Sequence, residues 1–144
     1  MRRFEDSIAW QKARALNKAV YEATRSGPAA RDWGYCGQIR RASLSVMNNI
    51  AEGFERHRRR EFHQYLSVAK GSAAEVRSMV YAGRDVGYFD DRTFEALLAD
   101  AEEVTRVIAG LRTSIERSMS TDELRGLREE AALYDVALRE DTSD

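Results

Sequence analysis

"DRTFEALLADAEEVTRVIAGLRTSIER", Asp91 to Arg117, decides the fold. Phe94, Leu97, Ala101, Val104, Ile108, Leu111 and Ile115 recur at spacings alternating between three and four. That period lines the apolar side chains along one helical stripe and turns the charged ones away from it. Sustained 3-4 alternation fits helices packed nearly parallel in a slight left-handed supercoil.

Working outward, "GYFDD" separates this helix from the one before it. Gly87 reads as a C-cap, and Asp90 or Asp91 as an N-cap. The preceding helix spans about 59–86, with Phe62, Leu66, Ala69, Ala73, Val76, Val80 and Gly83 on its stripe. Before that, about 35–54 carries Ile39, Ala42, Val46, Asn49 and Gly53. A first helix, about 6–25, carries Ala9, Ala13, Leu16, Val20 and Ala23, flanked by Trp10 and Tyr21. "SGPAARDWG" interrupts the pattern through Gly27 and Pro28, the sole proline. These segments predict an all-α, antiparallel up-down-up-down four-helix bundle over residues 1–118. An extra C-terminal helix is expected over 119–139, capped at Thr121, with Leu124, Leu127, Ala131, Tyr134 and Leu138 on one stripe. It could fold back, pair with another subunit or await a partner. Residues 140–144 read as a disordered tail.

The 144 residues fit one domain that needs no disulfide or metal to hold its core. Cys36 is the one cysteine; it reads as a small buried residue or as a reactive thiol near a helix start. "MRRFEDSIAWQ" has no apolar run after its arginines, so it does not read as a signal peptide. No apolar stretch approaches the ~18–20 residues of a membrane helix. A cytoplasmic protein without membrane contact is the expectation.

The net charge of −1 conceals an asymmetry. Residues 1–84 hold 16 Lys/Arg and 8 Asp/Glu, whereas residues 85–144 hold 7 and 16. Such a division points to an anionic partner or to charge-complementary self-association. The positive charge peaks in "NNIAEGFERHRRREF", where Arg56, His57, Arg58, Arg59 and Arg60 fall between two helices. Cations suit the C-terminal end of the helix before them. The same dipole disfavours Arg59 and Arg60 at the start of the next helix, so capping does not account for the whole cluster. Arg40 and Arg41 extend the basic set, and Lys70, Arg77 and Arg84 recur every seven residues on one face. Arginine outnumbers lysine here, as suits bidentate phosphate contact. A solvated or intersubunit surface is the competing reading.

Catalytic patterns are missing. No Glu-x-x-His pair exists for a di-metal bundle site, and there is no CxxC, P-loop or GxSxG. Glu52 and Arg56 read as an i,i+4 pair and Glu61 as a first-turn acid. No enzyme, metal or cofactor is expected.

The runs "FEDSIAWQKARALNKAVYEAT", "GQIRRASLSVMNNIAEGF", "EFHQYLSVAKGSAAEV" and "DVGYF" resemble the four-helix-bundle family of the 23S rRNA intervening-sequence proteins, over about Phe4 to Ser118. That family resembles the accessory variability protein of diversity-generating retroelements. The resemblance implies a homopentamer, with RNA, an RNA–protein complex or a reverse transcriptase as partner. Arg40, Arg41, Arg56, Arg59 and Arg60 match the family's basic positions, and Asn49, Gly53, Gly71 and Ser72 its polar and small ones. Gly53 and Gly71 read as close helix approaches; Asn49 either sets register or makes a local hydrogen bond. Met47 replaces a usual proline, predicting a straighter second helix. Glu55 and Arg58 replace a usual glycine and serine cap, which leaves the turn more basic and less well specified.

The sequence therefore predicts a non-enzymatic, homo-oligomeric bundle that binds nucleic acid, structured RNA in particular. The contacts assigned are Arg40, Arg41, Arg56, His57, Arg58, Arg59, Arg60, Lys70 and Arg77. The aromatic residues near the patch are Phe54, Phe62 and Tyr65, with Phe62 assigned to the core; this favours recognition by shape over base stacking. The alternative is a protein–protein scaffold whose basic and acidic faces pair between subunits.

Overall fold

The computed structural model describes residues 2–141, with side chains as far as residue 133. Among these the chain is a helical bundle with five α-helices and no strand: α1 Ile8–Thr24, α2 Trp33–Glu55, α3 Arg59–Asp85, α4 Asp91–Arg117 and α5 Thr121–Asp141. Short 3₁₀ turns at Phe4–Asp6 and Pro28–Arg31 precede α1 and α2. Tyr134, Leu138 and residues 142–144 of the expected tail lie outside the described side chains or residues.

Local chemistry sets the helix ends. Asp32 accepts a hydrogen bond from the Tyr35 amide at 3.0 Å, so α2 begins at Trp33, two residues before the apolar stripe suggests. Gly87 takes φ 81°, and the Tyr88 amide returns to the Gly83 carbonyl at 2.7 Å, closing α3. Asp90 caps α4 through the Thr93 amide at 2.7 Å. At α5 the cap is Ser120, not Thr121. The Glu123 amide donates to Ser120 Oγ at 3.3 Å, and Glu123 Oε2 accepts from the Ser120 amide at 2.7 Å, a reciprocal capping box.

Four helices close around one core: α1 packs on α2 and α4, and α3 on α2 and α4. Leu16, Val20, Ile39, Val46, Ile50, Leu66, Val76, Val80, Val104 and Ile108 are fully buried, with alanines 13, 69, 73 and 101 between them. Small residues in these layers let the helices approach. Gly53 is the tightest approach of α2 to the start of α3. A Cβ there would stand 2.6 Å from Tyr65 Cβ and 3.0 Å from Phe62 Cδ2. Gly71 differs from expectation: among the described residues nothing lies within 4 Å of its Cβ direction, so none of them needs a glycine there.

Polar contacts fix the register. Asn17 donates to Ser43 Oγ at 2.9 Å, Ser45 and Ser72 meet at 2.8 Å, and Tyr35 donates to the Met79 carbonyl at 2.6 Å. Asn49 makes the local bond of its two readings, donating to the Ser45 carbonyl at 2.8 Å. Cys36 is buried, with Sγ 3.0 Å from the Ala29 carbonyl. Where α2 begins, Asp32 also accepts from the Tyr88 hydroxyl at 2.5 Å, while Tyr35 and Tyr88 pack edge to face. These bonds, Tyr88 first, hold the Asp32 carboxyl below the usual carboxylate range. Burial, the largest cause, pushes the Tyr35 hydroxyl up.

Candidate nucleic-acid interface

Arg56, His57 and Arg58 form the connection between α2 and α3. The amides of Arg56 and His57 fold back onto the Gly53 and Phe54 carbonyls, each at 3.3 Å. To reverse the chain, His57 takes φ 56°, a left-handed conformation that glycine adopts without cost. Arg58 then occupies the N-cap of α3 in an extended conformation, and no side chain caps the helix. The uncapped amides are the positive end of the α3 dipole, and they sit among arginines. Sequence and structure agree that this turn is weakly specified and strongly positive.

Residues 56–60 are all exposed. Arg56 donates to Tyr65 Oη at 2.8 Å, lies over the Tyr65 ring at 5.4 Å, and pairs with Glu52 at 3.5 Å. Arg58 reaches Glu61 only at 3.8 Å and keeps 79% of its side chain exposed. Arg59 donates to the Ser118 carbonyl just past α4, and Arg60 pairs with Glu130 of α5. Gln64 donates to the other Glu130 oxygen at 2.6 Å. Beneath them His63 is buried, with Nε2 2.7 Å from Glu116 Oε1. The α2–α3 turn, the end of α4 and the body of α5 thus meet at one basic tip. Exposed ion pairs of this kind contribute little to stability, so phosphates can replace their carboxylates at small cost.

The other assigned residues, and Arg84 of the same seven-residue repeat, lie elsewhere. Lys70 is half-buried, ten residues beyond Arg60, about 15 Å along the helix. Arg77 is half-buried, and its Nε is enclosed without a partner among the described residues. Arg84 turns towards α4, pairing with Asp91 at 3.3 Å and lying 4.3 Å from the Phe94 ring centroid. Arg40 faces α1, donating to Thr24 Oγ1 at 3.0 Å and lying 4.7 Å from the Tyr21 ring centroid. Arg41 is exposed, with its guanidinium beside Gly37. Both are about 24 Å along α2 from the tip. The structure gathers Arg56 to Arg60 and leaves Arg40, Arg41, Lys70 and Arg77 outside that cluster. Sequence reasoning missed Ser118 and Glu130 as its neighbours. They are 59 and 70 residues from their partners, where no local period reaches.

The aromatic residues of the tip are committed to packing. Phe54 meets Phe62 edge to face at 6.1 Å, and Phe62 packs against the core. Among the described residues, no group of three His, Cys, Asp or Glu side chains could hold a metal ion. None of the described helices is long and apolar enough to cross a membrane. A wide hollow of about 550 Å³ lies away from the tip, lined in part by Gly27, Pro28, Tyr88 and Asp90.

Fold and site together define a helical bundle that concentrates positive charge at one turn. The chain belongs to the 23S rRNA-intervening sequence protein family, whose profile matches residues 5–110. Among solved structures, it is similar to a protein of unknown function from the S23 ribosomal protein family of Bacteroides thetaiotaomicron VPI-5482. The TM-score is 0.69 at 18% identity, covering 78% of this chain and 99% of the other. That likeness is one of fold. A search of curated proteins finds none that matches the chain.

Proposed function

We propose that this chain is a non-enzymatic, homo-oligomeric bundle that binds structured RNA through the Arg56–Arg60 tip. The observation that carries the reading is four arginines and a histidine in one exposed, uncapped turn. The family's description, which ties it to an rRNA intervening sequence, supports RNA as the anion. We read the four core helices as antiparallel and up-down-up-down. The pairs Ser45–Ser72 and Tyr35–Met79 link α2 and α3, and His63–Glu116 and Arg84–Asp91 link α3 and α4, each running in opposite chain directions. The arginines engage phosphates, release counterions and give affinity with little base specificity. With the tip aromatics packed, the RNA is recognised by its folded shape. Assembly into a pentamer would multiply tips on one scaffold, and service to a reverse transcriptase by holding template RNA is a role that such a scaffold fits.

Fluorescence anisotropy with a labelled hairpin RNA across a salt series tests the reading. Four phosphate contacts give a log–log salt slope of about −3 to −4, or roughly a hundredfold loss between 50 and 200 mM salt. Arg58→Glu with Arg59→Glu should abolish most of the binding while the helical signal stays intact. Absence of binding at 50 mM salt refutes the reading. A second reading, a scaffold joined by basic and acidic faces of neighbouring subunits, draws on the Arg60–Glu130 pair, which already joins those two charge classes within one chain. Under that reading the double reversal dissociates the oligomer.

A further inference from the structure

The acidic C-terminal helix lies against the basic tip. Over Thr121–Asp141, α5 carries seven acidic residues and three arginines. Glu123, Leu127 and Glu130 follow one another at four and three residues, so they share one face. Glu130 bridges Arg60 and Gln64 with its two oxygens. Gly126 brings the α5 backbone close: a Cβ there would stand 3.4 Å from the Arg60 guanidinium. Arg59 is among the groups that hold the Glu123 carboxyl below its usual range, after the backbone and side-chain bonds to Ser120. Leu124 and Leu127 rest partly buried against the core, a small apolar seat compared with the stripes of α1–α4. A helix seated this lightly needs little free energy to leave, and it occupies the guanidinium that the proposed RNA site needs.

We propose that α5 is an acidic latch that competes with RNA phosphates for the tip. In the closed state Glu130 neutralises Arg60 and α5 covers the start of α3. In the open state α5 leaves, and Arg60 joins Arg56, Arg58 and Arg59 on the phosphates. The inference rests on the phosphate-binding reading. Because both occupants use one guanidinium, each must weaken the other by the same factor.

The test uses the full chain and the variant Glu130→Gln, which removes the charge from a half-exposed side chain and leaves the core untouched. Amide hydrogen exchange of α5 reads the docking directly, since most of a helix's stability comes from packing and an undocked helix loses that protection. Without RNA, exchange in α5 should be roughly 1.5- to fivefold faster in Glu130→Gln, the range expected for one exposed ion pair. Unchanged exchange overturns the latch, whatever RNA does. With a saturating hairpin RNA, α5 of the unaltered chain should exchange faster, and Glu130→Gln should bind that RNA more tightly by a similar factor. RNA that binds while α5 exchange stays the same or slows overturns the competition and leaves the phosphate site standing. RNA that binds neither protein overturns the phosphate site and the competition together, with the docking of α5 still decided by the first comparison.

Discussion

Gly53 and Gly71 make opposite demands on an added methyl group, and the comparison tests the packing of α2 on α3. At Gly53→Ala the new Cβ meets Tyr65 Cβ at 2.6 Å, about 1 Å inside van der Waals contact. Tyr65 Cβ is fixed to the α3 backbone, so a rotamer change gives no relief and the helices must separate. Overpacking of this kind costs about 1–3 kcal/mol. Replacing a helical glycine by alanine returns at most about 1 kcal/mol through backbone propensity, and Gly53 lies in the last turn of α2, where less is returned. Steric cost wins, and Gly53→Ala should be destabilised by about 1 kcal/mol, or roughly 2–4 °C in Tm for a chain of this length. At Gly71→Ala nothing lies within 4 Å, so only the propensity gain of about 1 kcal/mol remains. Urea titration followed by circular dichroism at 222 nm measures both. A Gly53→Ala protein as stable as the parent would refute the close approach. A destabilised Gly71→Ala protein would refute the open surface at that position.

Two further predictions follow from the helix ends. Arg58→Ser supplies the missing cap of α3 and should raise stability by about 0.5–1 kcal/mol in the same titration, while weakening RNA binding in the anisotropy assay; a loss of stability would contradict the uncapped turn. Asp32 has a folded pKa held below its ordinary value, so its contribution is complete above the usual carboxylate pKa and disappears as pH falls through the folded value. Asp32→Asn keeps an acceptor for the Tyr35 amide but cannot titrate, so its Tm should fall less than that of the parent between pH 7 and pH 3. Equal falls would show that Asp32 does not contribute to the acid sensitivity.

The apolar stripes made the helices legible. The bounds of α4, Asp91–Arg117, follow the reading residue for residue, because Gly87 and Asp90 are strong local signals on either side of a turn. The start of α2 was less clear, since Asp32 acts as a cap while Trp33 and Gly34 offer no apolar period. At the site, the Arg56–Arg60 cluster was visible because its members are adjacent. The seven-residue repeat of Lys70, Arg77 and Arg84 gives a common face, but it does not say whether that face meets solvent or a neighbour. Arg84 shows the outcome, lying over Phe94 of α4. The sequence assigns Arg40 to nucleic-acid contact, and it gives no sign that the guanidinium meets Thr24 and Tyr21 of α1. The pairing of Arg60 with Glu130 depends on the two connections that lead from α3 through α4 to α5, and charge counts alone could only say that complementary segments exist.

No side chain from residue 56 to residue 60 belongs to the buried core. The segment is therefore open to replacement on a scaffold that persists, much as the fold is shared with a solved relative at 18% identity. Gains and losses of charge there leave Leu66, Val76 and Ile108 undisturbed, and substitutions in those positions leave the tip's composition alone. The charge of the tip and the packing of the core are thus set by largely separate residues. Chains that share this architecture can differ in charge at the tip by changes too local to unfold the bundle.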